Sequence, residues 1–156
     1  DFGLAADNVR IDAPAIVKRS RDVAAKLSGG VTFLMLIVPL VLLDLFVTVY
    51  QAVCFPAYGI PTVRRSDYLV FDRHHLAYLN AIEKLNCAYC SYANGLIGYV
   101  REIAARTEQH WCPIKHARRV IGTHARYAMF DDYGNAEDYQ KRLEELRASL
   151  AKEEGA

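Results

Sequence analysis

Apolar positions follow three different patterns along the chain. From Val31 to Val49 they form a nearly unbroken run with a single charge, Asp44, inside it. Extended to Val53, the run reaches the ~20 residues a helix needs to cross a hydrocarbon core. The proline-punctuated segment Cys54-Phe55-Pro56-Ala57-Tyr58-Gly59-Ile60-Pro61 then ends it. A membrane anchor is the reading that follows, in preference to a buried helix of a water-soluble fold. No small-residue cleavage site comes after the run, so it is expected to stay in place and not be removed as a signal peptide.

Basic residues lie on both flanks, Lys18, Arg19, Arg21 and Lys26 before the run and Arg64, Arg65 and Arg73 after it. That balance does not fix an orientation by positive charge. Together with Pro39 it also suits a helix that re-enters or lies in the interface. Asp44 would cost about 2.5–3.5 kcal/mol at a lipid-facing helix centre, so this membrane-buried polar residue is expected to face protein, either a neighbouring subunit or the chain's own helices.

The second pattern is a seam. Tyr78, Ile82, Leu85, Tyr89, Tyr92, Leu96, Tyr99 and Ile103 alternate spacings of four and three, which predicts one long helix packed along another. Its tyrosines read as core and not as a stacking platform. Gly95 and Gly98 fall inside this helix at a cost of about 1 kcal/mol each relative to alanine, which close approach of a neighbouring backbone would compensate. On the other side, at about 100° per residue, Glu83, Cys87, Cys90, Asn94 and Arg101 share a polar face.

The third pattern is a narrow stripe, Tyr139, Leu143, Leu146 and Leu150, on a charged C-terminal helix that Asn135 can cap. At the other end of the chain, Asp12 and Pro14 can open a short amphipathic helix that closes at Gly29-Gly30. The fold class is therefore all-α, one transmembrane or re-entrant helix plus a small helical hairpin or bundle. Four regions result: an amphipathic segment over 1–29, an anchor over 30–56, a helical domain over 57–134 and a charged helix over 135–156.

A net charge of +1 gives no global attraction for nucleic acid, and no nucleic-acid-binding motif is present. Four cysteines in 156 residues are too sparse for a secreted disulfide scaffold, which favours a reducing compartment. Trp111-Cys112-Pro113 predicts a new helix with Cys112 near its N-cap and His116 one turn in. If the long helix ends and turns back, Cys87, Cys90, Cys112 and His116 supply three thiolates and an imidazole, a set that suits tetrahedral zinc. Glu83 and Asn94 are placed to orient those ligands. Iron or an iron–sulfur cluster is the chemical alternative. Asp72, Glu83, Glu102 and Glu108 with His74, His75 and His110 lack the Glu-x-x-His pairs of a helical di-iron protein.

The sequence thus predicts a membrane-anchored, metal-binding accessory or assembly subunit of a larger membrane complex. Its expected partners are other membrane subunits and the lipid bilayer, with the soluble domain cytoplasmic. The alternative is a membrane-bound thiol enzyme that uses Cys87 and Cys90, with Cys112 activated by its helix end and His116 as proton donor.

Overall fold

The computed structural model describes residues 13–153, with side chains from Met35 onward and at Asp22. Among the described residues there are helices and no strands. Three are α-helices, α1 (Ala13–Tyr58), α2 (Ala81–Trp111) and α3 (Tyr139–Lys152), joined by segments that hold single turns of 3-10 helix. The chain divides into two compact units, Asp1–Pro39 and Leu40–Ala156.

In the first unit α1 runs through Gly29-Gly30 without the break the sequence suggested there. The opening residues 1–12, including the Asp12 cap, lie outside the described residues, as do the side chains of the amphipathic pattern up to Leu27. Met35–Tyr58 is long and apolar enough to cross a membrane, and 17% of it is buried, where the core helix of a soluble protein would be mostly covered.

In the second unit α1 ends where Gly59 turns to φ 67° and Ile60 N–H reaches back to Phe55 O at 2.9 Å, which satisfies a carbonyl the finished helix leaves open. The chain then returns alongside α1. Gln51 acts as a backbone surrogate for this segment: its Oε1 accepts from Val63 N at 2.8 Å and its Nε2 donates to Val63 O at 3.2 Å. Burying an amide costs little when each polar atom has a partner, and here Nε2 also donates to Tyr99 Oη at 3.1 Å.

α2 starts at a reciprocal cap. Glu83 N donates to Asn80 Oδ1 at 2.9 Å while Glu83 Oε2 accepts from Asn80 N at 2.8 Å. From there α2 runs in the same direction as the end of α1, since Tyr92, Tyr99 and Trp111 meet Asp44, Gln51 and Tyr58 in that order. Leu96, Tyr99 and Ile103 of the seam join Leu40, Phe55, Ile60 and Val63 in the core, whereas Tyr78, Ile82 and Leu85 stay exposed. The apolar seam therefore finds its partner over its second half.

Gly95 has the reason anticipated for it. A Cβ there would stand 2.4 Å from Tyr68 O, so the returning backbone touches α2 at this point. Past Trp111 the chain does not form the helix that Pro113 suggested. Residues 112–124 are irregular, fastened by Lys115 N to Asp131 O at 2.7 Å and Asp131 N to Pro113 O at 2.9 Å. α3 begins at Tyr139, not at Asn135, whose N–H closes a turn on Asp132 O. Its Leu143 and Leu150 are buried within the same chain.

Candidate functional site

Two polar clusters organise the second unit. The first centres on Asp44, which is 7% exposed and faces its own chain. Arg65 Nη1 and Nη2 donate to the two carboxylate oxygens at 2.6 Å each, Tyr92 Oη donates to Oδ2 at 3.0 Å, and Thr48 Oγ1 donates to Oδ1 at 3.4 Å. A planar guanidinium matches a carboxylate in this two-pronged way. Burial, and then the bond to Asp44, raise the pKa of the Tyr92 phenol, which keeps it a donor.

The second cluster centres on Arg126, which sits in the short helical turn Ala125–Met129. Its guanidinium donates to Glu102 Oε1 at 2.7 and 3.0 Å, to Gln109 Oε1 at 2.8 Å, and to Glu153 at 2.8 and 2.6 Å. Arg106 adds a bond to Glu102 Oε1 at 2.9 Å and one to Pro61 O at 2.8 Å. One buried cation thus ties α2, the loop after it and the end of α3 together. The hydrogen bonds to Glu153 hold the Arg126 guanidinium protonated and, in turn, hold the Glu153 carboxyl below its ordinary value.

The expected metal set is not assembled. Cys87 and Cys90 lie one turn apart on α2, as the sequence indicated, half-buried and exposed respectively. Cys112, however, is the C-cap of that same helix. At ~1.5 Å rise per residue it stands about 33 Å from Cys90 along the axis, too far to share an ion. The physical cause is that nothing stops α2 before Trp111, and Pro113 permits a turn without moving it earlier in the chain. Cys112 also loses the argument from a helix N-terminus, because it sits at the opposite, carbonyl end.

His116 is exposed and stacks on Tyr127 with ring centroids 6.2 Å apart. Glu83 is committed to the α2 cap, and Asn94 donates to Cys90 O at 2.9 Å. Among the described residues no group of three or more His, Cys, Asp or Glu side chains is arranged to hold a metal ion, which covers zinc, iron and an iron–sulfur cluster alike.

Arg101, grouped with the thiols in sequence, instead holds the loop after α2 through the carbonyls of Gly122 and Thr123. Arg65 and Arg126 went unassigned by sequence reasoning. Each lies in an irregular segment, where no periodicity says which side chain turns inward.

A different feature dominates the surface. The inward face of α1 carries Leu40, Asp44, Gln51 and Phe55, all buried. The outward face carries Val41, Leu42, Leu45, Phe46, Val49 and Val53, between 50% and 69% exposed. At the end of this face Tyr58 packs edge-on against Trp111, with centroids 5.0 Å apart and both rings about half exposed. Compared with protein-family models, curated proteins and solved structures, the chain matches none.

Proposed function

We propose that the protein is a membrane-held helical accessory subunit, anchored by α1, whose second unit docks other membrane proteins. One observation carries the reading: over Leu40–Val53 the inward polar side chains Asp44 and Gln51 are paired within the chain, while Val41, Leu42, Leu45, Phe46, Val49 and Val53 stand exposed on the outward face. Exposed apolar patches of that extent mark an interaction surface.

Lipid suits the outward face better than a second helix in water. The positions Leu42, Leu45 and Val49 follow a helical seam, but their flanks Val41, Phe46, Thr48 and Val53 carry no charge, where a coiled coil in water would carry charges. Tyr58 and Trp111 are the ring types enriched at the water boundary of a bilayer. The exposed α2 residues Ile82 and Leu85 supply the surface for a partner helix. The four unbridged thiols suit a cytoplasmic placement of this unit.

Membrane fractionation tests the anchor. The protein should remain in the pellet through high-salt and alkaline washes and be released by detergent. Release by salt alone contradicts the anchor. Ile82→Glu and Leu85→Glu should keep the protein in the pellet while removing co-purifying subunits; unchanged co-purification contradicts the docking role.

A further inference from the structure

We propose that Cys87 and Cys90 form a redox-active dithiol that closes into a disulfide within α2 by exchange with a small-molecule disulfide. The two residues are three apart in an uninterrupted helix. A rise of about 4.5 Å and a rotation of about 300° place their Cα atoms ~5 Å apart, and disulfides form at Cα separations of about 4.4–6.8 Å. The rotation also leaves the side chains about 60° apart on one face, so the sulfurs can meet with modest adjustment of the helix.

Access is asymmetric. Cys90 is exposed and Cys87 half-buried. Cys90 opens onto a cleft of about 560 Å³ between α2 and the returning segment, lined also by Asp67, Asp72, Arg73 and Asn94. Arg73 in that cleft suits a carboxylate, and Asp67 and Asp72 an ammonium group, of a small peptide disulfide such as glutathione disulfide, which carries both. Cys112 is exposed as well, but the length of α2 separates it from Cys87 and Cys90.

The chemistry follows from that asymmetry. The Cys90 thiolate attacks one sulfur of the small disulfide and expels one thiolate, leaving a mixed disulfide on Cys90. The Cys87 sulfur then attacks the Cys90 sulfur and expels the second thiolate. Two S–H bonds are lost and one S–S bond is formed. The small disulfide is reduced to two thiols, which take up the two protons. The pair thus adds a dithiol function to the chain that does not depend on how α1 is anchored.

The test is exchange of the full chain, reduced and in detergent, against glutathione disulfide, followed by alkylation, trypsin and mass spectrometry. The peptide Leu85–Arg101 contains both cysteines. In the wild type it should lose the mass of two hydrogens and carry no glutathione. In Cys87→Ser the adduct should persist on Cys90, and in Cys90→Ser reaction at Cys87 should slow severalfold. Stable glutathione on Cys90 in the wild type, to the same extent as in Cys87→Ser, overturns the proposal. So does oxidation that appears only as a bridge between two chains.

Discussion

Arg65 closes on Asp44 through two parallel hydrogen bonds of 2.6 Å, so the one charge in the apolar run is answered from 21 residues further along the same chain. This pair fixes which face of α1 is turned inward: Asp44 packs within the second unit, and the apolar outward face is left exposed. A lone spanning helix with a snorkelling carboxylate would have needed no such partner.

Removing one member of the pair should therefore cost folding stability. Arg65→Ala leaves a buried carboxylate with Tyr92 and Thr48 alone. Because the Arg65 side chain is 45% exposed, the loss should be about 1–3 kcal/mol, below the ~3–5 kcal/mol of a fully buried pair. The double variant Asp44→Leu with Arg65→Met should be more stable than Arg65→Ala by thermal unfolding in detergent. Additive losses in a double-mutant cycle would contradict the pairing.

The two glycines of α2 should respond differently to alanine. At Gly95 the new Cβ meets backbone, Tyr68 O at 2.4 Å, so the returning segment must shift and about 1–3 kcal/mol should be lost. At Gly98 it meets the Tyr68 ring at 3.2 Å, a side chain that can yield. The gain in helix propensity, about 1 kcal/mol, then offsets most of the cost. Equal melting temperatures for Gly95→Ala and the wild type would contradict the close approach.

Much of the architecture was legible because it is periodic. The seam from Ile82 to Ile103 and the stripe from Tyr139 to Leu150 lie in α2 and α3, Tyr78 falls in the turn before the Asn80 cap, and Gly95 marks a backbone contact. The cap Asn80-x-x-Glu83 is also written in the sequence, an amide followed three residues later by a carboxylate that bonds back to it. The structure departs from the sequence pattern where a single residue would have to decide chain direction. Pro113 permits a helix start but cannot force one, and the bonds from Asp131 and Arg101 fix that loop instead. Distances between Cys90 and Cys112 depend entirely on that decision.

The Arg126 cluster should make the fold acid-sensitive. Glu153 has its folded pKa lowered, chiefly by its hydrogen bonds to Arg126. Its stabilisation is therefore complete above its ordinary value of 4.5 and is lost as pH falls through the lower folded value. Glu153→Gln should flatten the decline of melting temperature on acidification. Arg126→Met, which leaves Glu102 with Arg106 alone and Glu153 without its partner, should cost about 1–3 kcal/mol near neutral pH, because the Glu153 side chain is 38% exposed. An unchanged pH profile in Glu153→Gln would contradict the linkage.

Metal content separates the sequence expectation from the observed geometry. With Cys112 at the far end of α2, the purified chain should hold no stoichiometric zinc that depends on both ends of the helix. Elemental analysis of the wild type, Cys90→Ser and Cys112→Ser should give the same low value. One zinc per chain, lost in each variant, would contradict the uninterrupted α2.

The most direct measurement of the central claim is the depth of α1 in a bilayer. Nitroxide labels at Phe46 and Val49 on the outward face, and at Lys141 on exposed α3, would be introduced with the native cysteines replaced by serine and the protein reconstituted in vesicles. Oxygen partitions into hydrocarbon and a nickel chelate into water. The account predicts that collisions with oxygen exceed those with the chelate at Phe46 and Val49, and that the order reverses at Lys141. Chelate accessibility at Phe46 and Val49 equal to that at Lys141 would contradict it.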